Sequence, residues 1–155
     1  MTKFHHIQLE NHCYHTISTT ADRSPVFSNP ELAMMVLDTI QFIRRDKAQV
    51  LAFALMPDHL HFLVVPKPPF TISQVMQSTK GYSSRVINKV NGVKGKLWQQ
   101  GFYDRVIRDE EQLNQTIAYI HENPVKAGLC LNAAGYQFSS AWPGAETDLA
   151  AFLDG

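Results

Sequence analysis

Residues 48–66, AQVLAFALMPDHLHFLVVP, constrain the fold of this chain more than any other stretch. Two apolar runs of strand length flank a very short connection, so they are predicted to pair as neighbouring antiparallel strands. Successive side chains of a strand point to opposite faces. His59 and His61 are therefore expected to project side by side from one face of the sheet, with Leu60 on the other.

The rest of the chain supplies further strands and helices around this hairpin. Alternating or helically spaced apolar residues predict strands over 12–20 and 102–109, and helices over 31–45, 72–91 and 110–123. Gly81 weakens the second helix at its middle. Because Pro124 disfavours helical geometry at Asn123, the third helix is expected to end there, with a separate helical turn over 124–130.

The resulting order is strand, helix, strand, strand, helix, strand, helix. Its first six elements repeat a split β-α-β unit, which predicts an α+β fold with an antiparallel sheet and helices packed on one face. The last helix is free to lie against the same sheet, opposite the histidine pair. We expect a single domain over 1–155, with its core at about 10–143 and an acidic tail over 144–155.

Composition and charge limit the cellular compartment and the binding partners that we expect. The two cysteines form no CxxC pair, which fits a reducing cytoplasm. No stretch reads as a secretory signal or a membrane span, so a membrane partner is not expected. The whole chain is neutral, yet residues 80–108 contain seven basic residues against Asp104 alone. Such a segment is typical of a nucleic-acid-binding surface, and a solvated helix face is the alternative.

Two imidazoles on one strand face offer a pair of metal ligands, although a metal needs further ligands from the protein, water or substrate. Buried histidines that hydrogen-bond carbonyl groups are the alternative. The histidines near the N-terminus lack metal-ligand spacing and are expected to be structural: His5, His6, His12 and His15.

The third predicted helix places Tyr119 and Asn123 one turn apart on one face. Tyr119 could serve only as a core residue, and Asn123 only as part of an Asn-Pro turn. Together with a metal-binding pair and a basic segment, however, they are the parts needed to break and rejoin a nucleic-acid strand. A metal polarises the phosphate, and a tyrosine can act as a covalent nucleophile.

Three segments carry a specific resemblance: MPDHLHFLVVP, LWQQGFYDRVIRDEEQL and YIHENPVKAGL. In this order they resemble the single-tyrosine HUH transposases of small bacterial insertion sequences, and most closely the REP-associated tyrosine transposases. HUH denotes two histidines around a hydrophobic residue, which His59-Leu60-His61 matches. The similarity extends over most of the chain. Asp58 stands where relatives often have Asn or Glu.

The resemblance implies a DNA transposase with a ferredoxin-like palm, acting on single-stranded or hairpin DNA with one Mg²⁺ or Mn²⁺. It implies that Tyr119 is the nucleophile, that His59, His61 and Asn123 hold the metal, and that cleavage leaves a 5′-phosphotyrosine bond. Some family members are dimers, so a homodimer is left open. The candidate DNA-binding residues are Lys80, Arg85, Lys89, Lys94, Lys96, Trp98, Arg105 and Arg108. Trp98, together with Tyr103, could stack on unpaired bases, or either ring could belong to the core.

Two other functions fit parts of the pattern. A histidine-triad nucleotide hydrolase would need a third alternating histidine, and Leu63 occupies that place. A domesticated, non-catalytic DNA-binding regulator of the same fold would need no intact nucleophile or metal residues, and the chain retains them.

Overall fold

The computed structural model describes residues 12–92 and 95–154. The strands are β1 (Tyr14–Thr19), β2 (Ala48–Met56), β3 (His59–Pro66) and β4 (Tyr103–Val106). The helices are α1 (Pro30–Asp46), α2 (Ile72–Asn91), α3 (Glu110–Lys126) and α4 (Leu149–Asp154). The predicted order of the first seven elements is confirmed, and α4 is an additional short helix. Within the described ranges, no helix is both long and apolar enough to span a bilayer.

The four strands form one antiparallel sheet in the order β2-β3-β1-β4. The predicted hairpin is present, with Met56 paired to His59 at its closed end. On its other side β3 pairs with β1, and Ile17 of β1 lies opposite His61. The histidine pair therefore lies on an inner strand.

Side chains of β3 point alternately to the two faces of the sheet and contribute to a hydrophobic core on each. Leu60 and Phe62 pack into a cluster that includes residues of α1 and α2. Leu63 packs on the opposite face with Leu113 and Ile120 of α3. The α+β fold with an antiparallel sheet is as predicted. The expectation of helices on one face holds for α1 and α2, whereas α3 covers the other face, because β3 is apolar on both faces and both must be buried.

The bounds of α2 are those predicted, Ile72–Asn91, with no break at Gly81. A capping box satisfies the first turn: the Thr71 side chain accepts the Gln74 N–H, and the Gln74 side chain accepts the Thr71 N–H. At the other end Gly92 takes a left-handed φ of 64°, which favours glycine.

The expected end of α3 at Asn123 is wrong, because the helix continues through Pro124 to Lys126. Proline removes one helical donor. Here the ring of Pro124 is buried, and helical bonding resumes after it, with the Ala127 N–H donating to the Asn123 carbonyl at 3.0 Å. Residues 124–126 therefore do not begin a separate turn. Burial of the proline outweighs the local preference of the residue before it.

The segment after α3 covers the outer edge of β2. The Ser140 N–H donates to the Phe53 carbonyl at 2.9 Å, and the Asp148 N–H donates to the Val50 carbonyl at 2.8 Å. Arg44 donates to both carboxylate oxygens of Asp148, at 3.1 and 2.9 Å. The acidic segment at 144–154 is thus docked on the sheet through Asp148, and it ends in α4, which packs against the α3 core.

Candidate active site

His59 and His61 lie together on the face of β3 that α3 covers. Their ring centroids are 4.9 Å apart. His59 is half-buried, whereas His61 is only 2% exposed. The pair therefore has one imidazole that solvent can reach and one held inside the protein.

A carboxylate orients the imidazole of His59. Asp58 Oδ1 lies 2.7 Å from His59 Nδ1, so a neutral imidazole donates its Nδ1–H to this oxygen. The lone pair on Nε2 is then left for another partner. A carboxylate that fixes a histidine in this way is the usual support of a metal-ligating imidazole.

The second imidazole is held neutral by its surroundings. Burial, and then the neighbouring His59 and His15, lower the pKa of His61 to about 3, although a hydrogen bond with the Asn123 side chain opposes this shift. At neutral pH His61 therefore carries one ring proton and offers one nitrogen lone pair.

The helix α3 brings both of its predicted residues to this pair. The Tyr119 ring lies edge-on to His61 with centroids 5.6 Å apart, and it remains 48% exposed. Asn123, one turn later, hydrogen-bonds the His61 imidazole. The phenol is thus both adjacent to the histidines and accessible to a substrate.

A cleft of about 350 Å³ opens beside Tyr119, between α3 and the strands β1 and β4. Among its lining residues are Ile17, Tyr103, Arg105 and Gln115. Arg105 and Tyr103 are exposed on β4. The cleft therefore places a cation and an aromatic ring next to the phenol.

Tyr82, Tyr103 and Tyr136 are other phenols that could compete as nucleophiles, and of these three only Tyr103 lies in this cleft. Tyr82 stacks on Phe42 with centroids 4.8 Å apart. The Tyr136 hydroxyl donates to the Leu55 carbonyl at 2.6 Å, and burial, followed by the nearby Cys130, raises its pKa to about 12. Both phenols belong to other parts of the fold.

The structure also brings to the site a histidine that the sequence did not single out. His15 Nε2 lies 3.1 Å from His61 Nδ1, and the two rings stack with centroids 5.3 Å apart. His12 is exposed, and His5 and His6 lie outside the described residues. His15 and Ile17 are two residues apart, so the sequence places them on one face of β1. Only the register of β1 against β3 shows which residues that face meets.

The candidate DNA-binding residues do not form one patch. Arg105 lies in the cleft, whereas Arg85 and Lys89 are exposed on α2, on the other side of the sheet. Lys96 and Arg108 are exposed in connecting segments, and Lys94 lies outside the described residues.

Two of these candidates are engaged within the protein. The Lys80 ammonium donates to the carbonyls of Gln99 and Gly101, which ties α2 to the segment before β4. Trp98 is only 5% exposed, and its indole N–H donates to Ser83 Oγ at 3.0 Å. Of the two alternatives left open for Trp98, the structure supports the core, and its place among the candidate DNA-binding residues is not supported.

A metal at this site would draw on few protein ligands. In the ranges 12–92 and 95–154, no three His, Cys, Asp or Glu side chains are arranged to hold a metal ion. The donor set is the imidazoles of His59 and His61 and the Asn123 amide. This set fits an open site in which water and substrate oxygens supply the remaining ligands.

Comparison with known proteins gives consistent similarities. A family model described as "Transposase IS200 like" matches residues 8–123. A REP-associated tyrosine transposase of Escherichia coli K12 is 25% identical over 108 residues, which cover 68% of this chain and 62% of the relative. A Haemophilus influenzae protein that bears the same name provisionally is 26% identical over 102 residues, covering 59% of this chain and 58% of the relative. The chain thus spans about three fifths of the length of these curated relatives.

A solved structure, described as a REP-associated tyrosine transposase bound to a REP hairpin, has the same fold. It superimposes with a TM-score of 0.66 and covers 94% of this chain and 83% of its own. The sequence identity is 21%.

Proposed function

We propose, from the premise that this chain belongs to the IS200-like transposase family, that it cleaves and rejoins single-stranded or hairpin DNA through a 5′-phosphotyrosine intermediate. The observation that carries the proposal is the convergence of two elements on one point. Tyr119 and Asn123 come from α3, and His59 and His61 come from β3.

Tyr119 is the proposed nucleophile. Its phenolic oxygen attacks the phosphorus, the bond from phosphorus to the 3′ oxygen breaks, and the phenol proton leaves to solvent or a base. The leaving 3′ oxygen takes up a proton and becomes a free 3′-OH. Because the phosphotyrosine ester retains the energy of the broken bond, a 3′-OH can attack it in the reverse sense and rejoin a strand without ATP.

His59, His61 and Asn123 are the residues that would hold Mg²⁺ or Mn²⁺. When bound, the metal supplies Lewis-acid polarisation of the scissile phosphate. Asp58 keeps the His59 ring oriented, and the buried position of His61 keeps that imidazole neutral. With imidazole and amide donors alone, we expect weak metal binding until DNA adds its oxygens.

The cleft beside Tyr119 is the proposed path of the DNA strand. Arg105 would contact a phosphate there, and Tyr103 would stack on an unpaired base, which contributes about 1–3 kcal/mol per base in comparable systems. A structure of the same fold is described as bound to a REP hairpin, which supports a hairpin as the first substrate to test. All four residues at the point of convergence lie within this one chain.

The test is a trapping experiment with end-labelled single-stranded hairpin oligonucleotides and Mn²⁺, analysed on a denaturing gel. Tyr119→Phe keeps the ring and its contact with His61 but removes the attacking oxygen. Tyr103→Phe is the matched control, since it removes the other phenolic hydroxyl of the same cleft. We expect a covalent adduct with the natural chain and with Tyr103→Phe, and none with Tyr119→Phe.

Mass spectrometry of the proteolysed adduct then identifies the modified residue. DNA on a tyrosine other than Tyr119 would refute the assignment. Hairpin binding with no adduct on any oligonucleotide would favour the alternative function, a non-catalytic DNA-binding regulator.

A further inference from the structure

We infer that His15 is a positioning residue for the metal-binding histidine His61: it accepts the Nδ1–H of His61 and so directs the Nε2 lone pair of His61 toward the metal. The inference rests on the metal role of His61 in the proposed function. It concerns a residue on β1 that contributes neither the nucleophile nor a metal ligand.

The contact between the two rings is direct. His15 Nε2 and His61 Nδ1 are 3.1 Å apart, and the ring planes are inclined by only 24°. Both side chains are at least 95% buried, with exposed fractions of 5% and 2%. His15 also borders the cleft beside Tyr119, but because so little of either ring is exposed, loss of this hydrogen bond would leave a largely buried ring nitrogen without this partner.

A single proton must lie between these two nitrogens, because a hydrogen bond between two ring nitrogens needs one donor and one acceptor. If His15 donated, the remaining proton of His61 would sit on Nε2 and block a metal there. If His61 donates from Nδ1, its Nε2 carries the free lone pair. The Asn123 amide offers both a donor and an acceptor, so its bond to His61 is compatible with either arrangement.

The arrangement around His59 favours the second option. Asp58 accepts the Nδ1–H of His59 at 2.7 Å, which leaves Nε2 of that ring free. With His15 in the matching role, both histidines of the pair present the same nitrogen.

The first measurement is the tautomer of His61 in the metal-free protein, from long-range ¹⁵N–¹H correlation spectra of ¹⁵N-histidine-labelled chain. We expect a proton on Nδ1 and none on Nε2. In His15→Leu, which cannot accept, we expect the population to shift toward Nε2–H. A natural chain with His61 in the Nε2–H form would overturn the inference, and so would an unchanged tautomer in His15→Leu.

The second measurement is the dissociation constant for Mn²⁺ without DNA, by titration calorimetry. Loss of a residue that supports a ligand typically weakens metal binding by about 10–100-fold, so we expect at least a tenfold loss in His15→Leu. His15→Gln keeps a carbonyl acceptor and should recover part of this loss. His121→Gln is the control, because His121 on α3 bonds Ser140, away from the site, and its affinity should be unchanged.

These two readouts separate the inference from the proposed function. If the natural chain binds no Mn²⁺ either without or with hairpin DNA, the metal role fails, whereas the tautomer still reports on the His15 contact. Equal Mn²⁺ affinity in His15→Leu and the natural chain would overturn the positioning role. If His15→Leu does not fold, the natural chain's tautomer and His15→Gln decide the question.

Discussion

Replacing Trp98 by leucine should destabilise the protein and should not specifically weaken DNA binding. The indole packs on Phe27 with ring centroids 5.3 Å apart and donates to Ser83 at 3.0 Å. Truncating a buried Trp to Ala costs about 3–5 kcal/mol, and leucine refills part of that space. Loss of the hydrogen bond contributes about 1 kcal/mol of the total. We therefore expect the free energy of unfolding to fall by about 2–4 kcal/mol.

Tyr103→Leu is the matched variant, because Tyr103 is 59% exposed and lines the cleft. Its unfolding free energy should change by no more than about 0.5 kcal/mol, whereas its affinity for hairpin DNA should fall by about 1–3 kcal/mol. Urea denaturation gives the first quantity, and fluorescence anisotropy at fixed salt gives the second. If Trp98→Leu unfolds like the natural chain but loses DNA affinity, the assignment of Trp98 to the core is refuted.

Three further predictions concern the metal-binding histidines, the exposed lysines and the ion pair at the edge of the sheet. His61→Ala should abolish cleavage in Mg²⁺ while hairpin binding in an anisotropy assay stays within about threefold; undiminished cleavage would contradict the metal role. Replacing Lys89 and Lys96 together by Gln should weaken binding to all sequences and reduce the slope of log affinity against log salt by up to about 2; an unchanged slope would mean that these exposed side chains contact no phosphate. Although burial opposes ionisation of Asp148, hydrogen bonds from Arg44 lower its pKa. The stability gained from this pair is present above the ordinary carboxyl pKa of about 3.9 and lost as pH falls through the lower folded value. Urea midpoints should therefore fall less steeply with acid in Asp148→Asn, and parallel acid profiles would contradict this.

Local pattern was sufficient for the parts of the fold that depend on neighbours in sequence. The β2–β3 hairpin follows from a connection too short for any other pairing. The two-residue period of a strand places His59 and His61 on one face. The full length of α2 follows from its apolar spacing, despite Gly81. The placement of Tyr119 and Asn123 on one face likewise requires only that this segment is helical.

The remaining features depend on contacts between distant segments. His15 meets His61 only through the β1–β3 register, across 46 residues of sequence. α3 runs through Pro124 because burial of the ring outweighs the local geometry. The place of Trp98 could not be decided from sequence, since an aromatic ring suits both a core and a base-stacking surface.

The docking of residues 136–148 along β2 bears on how this protein resists aggregation. The strand AQVLAFALM is nine residues long and contains no charge and no proline. Such a segment, if its edge were open, would template cross-β pairing between copies of the chain. Ser140 and Asp148 occupy edge positions that a second β2 would otherwise use. Loss of this segment should therefore appear first as fibrillar association, detectable by thioflavin fluorescence, and only then as a lower unfolding temperature.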